Sequence, residues 1–127
     1  MTKKNLAASK IKNLEKSSSI FEQVYKIVLQ IPLGKVATYG QISRLLGERL
    51  SAAGVGWAMK ATPNDGRKIP WHRVVNSRGG ISTEKLLNFA PSLQQHLLET
   101  EGIIFNQQGF IDLKVFQWQP NINQKES

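Results

Sequence analysis

The run Pro70-Trp71-His72-Arg73-Val74 sets an imidazole beside an indole, and those two rings decide what chemistry the chain can attempt. An imidazole carries protons, but His72 needs a nucleophile or leaving group to serve before it can catalyse anything. The sequence holds no cysteine, which removes thiol nucleophiles, disulfides and thiolate zinc sites together. Trp71 cannot stand in for a thiol, because its nitrogen lone pair belongs to the aromatic system and its N–H only donates. What the indole does offer is a broad, flat, amphipathic face on which another planar ring can stack. An ordinary packed aromatic is the other reading of a single tryptophan. The sequence assigns no catalytic residue, no metal ligands and no cofactor.

The charge balance points to the kind of partner. Lys and Arg number 17 against 9 Asp and Glu, a net charge of +8 on 127 residues, which favours a polyanion and nucleic acid first. The length suits one domain. No apolar run approaches the roughly 18 residues of a membrane span, so no membrane partner is expected. Lys3, Lys4, Lys10, Lys12 and Lys16 fall in a polar stretch with no apolar segment after it, unlike a secretory signal. The organisation expected is a basic flexible leader at 1–19, a domain at 20–118 and a flexible tail at 119–127. The expected setting is cytoplasmic, on the nucleoid, as a monomer.

Several elements must position the two rings. Ile20, Phe21, Val24, Ile27, Val28 and Ile31 follow the period of a helix with one buried face, closed by Pro32 and Gly34. Thr38 with Gln41 fits a capping box for a short second helix carrying Ile42, Leu45 and Leu46. After a turn at Gly47–Leu50, Ser51 caps a third helix through Val55, Ala58 and Met59. This pair is a helix-turn-helix candidate. Ile69–Val75 is β-prone, and Asn76–Gly80 reads as a turn forming a basic wing. Pro91 to Gly102 bounds a last helix with Leu93, Leu97 and Leu98, and a hairpin is expected from Ile103–Phe105 and Phe110–Leu113. Val115, Phe116 and Trp118 are expected to return to the core.

The third helix opens with Ser51, Ala52, Ala53 and Gly54, where a major-groove reading helix would offer Arg, Asn or Gln. Such small residues suit either close helix packing or close approach to the narrow minor groove.

Four motifs in order, Ile31-Pro-Leu-Gly-Lys-Val-Ala-Thr-Tyr-Gly40, Val55-Gly-Trp-Ala-Met59, Ile69-Pro-Trp-His-Arg-Val-Val-Asn-Ser-Arg-Gly79 and Leu97-Leu-Glu-Thr-Glu-Gly102, resemble the DNA-binding domain of O6-alkylguanine-DNA alkyltransferases. The resemblance spans residues 20 to 118. Where that family carries Pro-Cys-His-Arg-Val, this chain has Trp71, which is similar to the non-enzymatic alkyltransferase-like branch. The fold implied is mainly α with a small β component, a winged-helix-like helix-turn-helix domain of the methylated-DNA-protein cysteine methyltransferase type. The resemblance also implies a lesion pocket of Tyr39, Met59, Trp71 and Val74, with Tyr39 against the backbone of an extruded nucleotide. Thr38, Tyr39, Gly40, Ser51, Ala52, Ala53, Gly54, Lys60, Ser77 and Arg78 are its implied DNA contacts. His72 and Glu101 match a hydrogen-bonded pair whose remaining role, with no thiol to activate, is structural.

Three positions depart from the family. Ala53 replaces a helix arginine that enters the space left by the flipped nucleotide, so Lys60 or Arg49 would have to reach in or flipping would be less stabilised. Thr62 replaces an asparagine before Pro63, with one extra residue before Ile69. Ser82 to Pro91 lacks the family's glycine pattern altogether. The function implied is minor-groove binding and recognition of O6-alkylguanine without transfer, marking double-stranded DNA for nucleotide-excision repair proteins. A general winged-helix DNA binder and a residual DNA-repair enzyme are the alternatives.

Overall fold

Side chains alternate across extended backbone, and two short extended segments use that alternation to divide the interior. They are β1 (Ala37–Thr38) and β2 (Val74–Val75), paired in parallel with Ala37 opposite Val74 and Thr38 opposite Val75. Ala37 and Val74 point into one core with Val24, Val28, Ile42, Val55, Ala58 and Met59. Val36 and Val75 point into the other, with Leu98, Ile103 and Ile111. Parallel strands need a crossover. Here it contains the helix-turn-helix.

The computed structural model describes residues 20–120, so the expected leader at 1–19 and residues 121–127 of the expected tail lie outside the described residues. The chain runs α1 (20–30), β1, α2 (Tyr39–Leu45), α3 (Ala52–Lys60), a single 3-10 turn at Trp71–Arg73, β2, α4 (Thr83–Leu86), α5 (Leu93–Thr100) and α6 (Leu113–Phe116). It is mainly helical with a small sheet, as the sequence implies. No helix among the described residues is long and apolar enough to cross a membrane.

Local chemistry explains the helix pair. Thr38 Oγ1 accepts the Gln41 N–H at 3.0 Å and Ser51 Oγ accepts the Gly54 N–H at 3.0 Å, so both helices start at side-chain caps. Between them the Ser43 hydroxyl donates to the Leu50 carbonyl at 2.7 Å and pins the turn. Tyr25 ties α1 to α3 by donating its hydroxyl to the Ala58 carbonyl at 2.6 Å.

Several expected elements came out differently. Only Val74 and Val75 of the β-prone stretch are strand, because Trp71 N–H bonds back to the Ile69 carbonyl at 2.7 Å and Arg73 N–H to the Pro70 carbonyl at 3.0 Å, which curls the chain. The wing is a turn alone, closed by Asn76 N–H to Gly80 carbonyl at 3.0 Å, with no strand following it. Gly79 in that turn has φ +82, and a Cβ there would lie 2.4 Å from the Ile111 carbonyl oxygen, so only glycine fits. The terminal hairpin shrinks to one antiparallel bridge, Phe105 with Ile111, since Asp112 caps α6 and turns Leu113 into helix. Phe116 and Trp118 do pack on the two cores, but Val115 is exposed.

Candidate nucleic-acid interface

Ala53, Gly56, Trp57 and Lys60 recur along α3 at intervals of three and four residues, so they share one face, opposite the buried Val55, Ala58 and Met59. That face, with Tyr39, Gly40, Ala52, Asn76, Ser77 and Leu86, bounds a cavity of about 590 Å³. The one charge among these lining residues is that of Lys60. Ion pairs among the described residues are those of Arg67, His72 and Arg73, so Lys60 and Arg78 have no acidic partner there. The guanidinium carbon of Arg78 lies 5.0 Å from the Phe110 ring centroid, outside the lining of this cavity.

Tyr39 is oriented by a chain of hydroxyls. Thr83 donates to the Val74 carbonyl at 2.7 Å, which leaves its oxygen to accept from Tyr39, while Ser82 donates to Tyr39 at 3.3 Å. Its position at the first turn of α2 is therefore fixed from α4 and β2 at once.

The Trp71 turn is held even more firmly. Glu101 accepts the Gly34 N–H at 2.9 Å, His72 Nε2–H at 2.7 Å and the Arg73 guanidinium at 2.9 to 3.2 Å. Burial pushes this carboxyl up, but the donors of Arg73, Gly34 and His72 outweigh burial and bring its pKa down to about 2. Arg73 also reaches the Ile31 carbonyl at 2.9 Å. From the other side, fully buried Gln94 donates to the carbonyls of His72 at 3.0 Å and Val74 at 2.8 Å and accepts the Glu84 N–H. Among the described residues, no buried side-chain nitrogen or oxygen lacks a hydrogen-bond partner.

The expected lesion pocket of Tyr39, Met59, Trp71 and Val74 is not one open space. Met59 and Val74 have no exposed surface and form the core on which the half-buried Tyr39 and Trp71 pack. Trp71 borders a second, open concavity with Leu29, Thr62, Arg67, Lys68 and His72. The Phe89 ring covers the indole, centroid to centroid 4.7 Å and tilted 41°. Helix α4 packs on both α3 and the Trp71 turn, sending Leu86 to the α3 cavity, while Phe89 three residues later meets Trp71.

Of the expected DNA contacts, Tyr39, Gly40, Ala52, Ala53, Lys60 and Ser77 converge on the α3 cavity, with Ser51 and Arg78 exposed outside its lining. Thr38 and Gly54 do not fit the same picture. The Thr38 side chain is buried and its hydroxyl caps α2. Gly54 lies under the Leu50 side chain, whose Cδ1 would be 2.5 Å from an added Cβ and would have to shift to admit it. The alternative cation Arg49 bonds Gln23 and the Leu46 carbonyl, away from the cavity lining.

Sequence reasoning missed Trp57, Phe89, Thr83 and Gln94. Gln94 had a signal, since it lies one turn before Leu98 on the buried stripe of α5, where a polar residue must find partners. Phe89 had none, because its segment matched no pattern.

Comparison with known proteins identifies the family and the fold. Residues 19–103 match the family model for the 6-O-methylguanine DNA methyltransferase, DNA binding domain. The chain is 39% identical over 107 residues to the DNA base-flipping protein of Escherichia coli K12, covering 83% of this chain and 78% of that one. It is 38% identical over 104 residues to alkyltransferase-like protein 1 of Schizosaccharomyces pombe, covering 79% and 94% respectively. A crystal structure of S. pombe Atl1 in complex with damaged DNA containing O6-carboxymethylguanine superposes with a TM-score of 0.68 at 37% identity, over 81% of this chain and 97% of that one. A family match over more than half the chain, joined to relatives this similar along most of their length, makes this protein a member of the 6-O-methylguanine DNA methyltransferase DNA-binding domain family.

Proposed function

We propose that the chain binds double-stranded DNA in the minor groove through its α2–α3 face, holds an extruded O6-alkylguanine against Trp71, and leaves the adduct unchanged. One observation carries this reading: a half-buried indole, fixed by the Glu101 hub, stands beside His72 in a chain without any cysteine. Lys60, Ser77 and Arg78 meet phosphates, Gly40, Ser51, Ala52 and Ala53 allow the backbones to approach, and Tyr39 lies against the rotated nucleotide. Thr38, Gly54, Met59 and Val74 serve as caps and packing behind them. His72 and Glu101 keep the Trp71 turn in place, and no residue, metal or cofactor performs a reaction. Alkylation weakens the base pair and so lowers the cost of extrusion, which supplies part of the selectivity. The relatives named for base flipping, and the S. pombe complex with damaged DNA, support the binding of damaged DNA and the extrusion of a base. The proposal extends to action as a monomer on nucleoid DNA in the cytoplasm, and to marking of the lesion for nucleotide-excision repair.

For a base to reach Trp71, Phe89 has to yield its place. A base stacked on the indole contributes roughly 1 to 3 kcal/mol, which offsets the loss of the Phe89 contact. The test compares two duplexes, alike except for guanine or O6-methylguanine, over a range of salt. Log affinity for both should fall linearly with log salt at one common slope, because the phosphate contacts are shared. Preference for the lesion should remain at about tenfold or more throughout. Equal affinities would instead assign a general winged-helix DNA binder, the reading that the Phe89 cover over Trp71 favours.

A further inference from the structure

Trp57 sits in the middle of the α3 face that borders the 590 Å³ cavity, and 70% of it is exposed. A large apolar side chain left this open in the centre of a concave surface is unusual for a residue with only a packing role. Its neighbours on that face are Ala53 one turn before it, Gly56 beside it and Lys60 one turn after it, and none of these masks the ring. A Cβ on Gly56 would meet nothing closer than Leu86 at 3.8 Å, so the bare backbone there is not required by the protein's own packing. Trp57 is therefore the one bulky group that this face can push into an opposing surface. Lys60, three residues on, sets a cation beside it that suits a phosphate.

We propose that Trp57 is a wedge, its indole entering the base stack from the minor groove and filling the gap left by the extruded nucleotide. This rests on the function proposed above and names the residue that makes extrusion persist. Extrusion leaves the orphaned partner base beside a gap about one ring thick between the two flanking base pairs. Apolar side chains inserted between base steps are an established device of minor-groove proteins, and an aromatic ring restores stacking on both sides of such a gap. Ala53 reaches too little to do so, and Lys60 carries a hydrated charge poorly suited to a stack. The two tryptophans divide the work: Trp71 receives the base and Trp57 occupies the space it left.

The test uses the full chain as native protein and as Trp57→Ala, Trp57→Phe and Trp71→Ala. The probe is an O6-methylguanine duplex with 2-aminopurine as the 3′ neighbour of the lesion, excited at a wavelength tryptophan does not absorb. Because Trp57 is exposed, melting temperatures of its variants should stay close to native, which separates folding from function. Expected is a quenched probe with native protein, a bright probe with Trp57→Ala, and a loss of lesion affinity of about tenfold in that variant. Trp57→Phe should restore most of the quenching and affinity. A Trp57→Ala protein that binds within twofold of native with the probe still quenched overturns the wedge, and so does tighter binding, which would make the indole an obstruction. If lesion preference persists and depends on Trp71 in that case, only the wedge fails. Absence of any lesion preference in the native protein overturns both.

Discussion

Trp71→Ala should cut the preference for O6-methylguanine over guanine by roughly 10- to 100-fold, while affinity for the unmodified duplex stays within about threefold of native. The asymmetry follows from where the contacts lie. In the proposed complex Lys60, Ser77 and Arg78 meet the phosphates, none of them borders the indole, and phosphate contacts would supply most of the affinity for undamaged DNA. The indole face enters only once a base has left the stack. Because Trp71 also packs on the core cluster, the alanine variant loses some stability, and its melting temperature must be measured alongside. Anisotropy titrations well below that temperature give the ratio directly. Trp71→Phe should keep a substantial part of the preference, since a smaller ring still stacks.

The largest stability effect is expected at Glu101. Its side chain is only 10% exposed and answers Gly34, His72 and Arg73 together. Glu101→Ala would leave the guanidinium of Arg73, whose side chain is 16% exposed, without a counter-ion, a change that costs about 3 to 5 kcal/mol. In a domain whose whole stability is on the order of 5 to 15 kcal/mol, that lowers the melting temperature by roughly 15 to 30 °C. The same group governs acid behaviour. Its folded pKa, about 2, lies below the ordinary 4.5, so its contribution is complete above the unfolded value and is lost as pH falls toward the folded one. Native stability should therefore decline between about pH 5 and pH 2, and Glu101→Gln should flatten that decline while lowering stability at neutral pH. Thermal melts across that range check both statements.

The sequence made the helix pair legible because its signals are local. Thr38 and Ser51 are caps whose bonds close within three residues, and apolar spacing marks the buried stripe of α1. His72 and Glu101, 29 residues apart, could be paired only through the resemblance, and the fold brings Nε2 of one within 2.7 Å of Oε2 of the other. Depth was not legible. Helical period shows that Met59 faces inward, but not that it is wholly enclosed behind Trp71 rather than on a pocket wall. Nor was the Trp71 turn, since β-branched residues at 74 and 75 suggested a strand that the Pro70 turn cuts short. The segment after the wing carried no periodic pattern, and it contains Leu86, which lines the α3 cavity, and Phe89, which packs on Trp71. Trp57 could have been found by setting it on a helical wheel with Ala53 and Lys60.

The most direct measurement is a mass determination on both partners after the native protein has been saturated with an O6-methylguanine duplex, held for many times the complex's lifetime and then dissociated. Protein of unchanged mass, with the duplex recovered intact and still methylated, is the expected result. A protein heavier by one methyl group, a guanine restored, or a base excised would show chemistry at this site and contradict recognition without reaction.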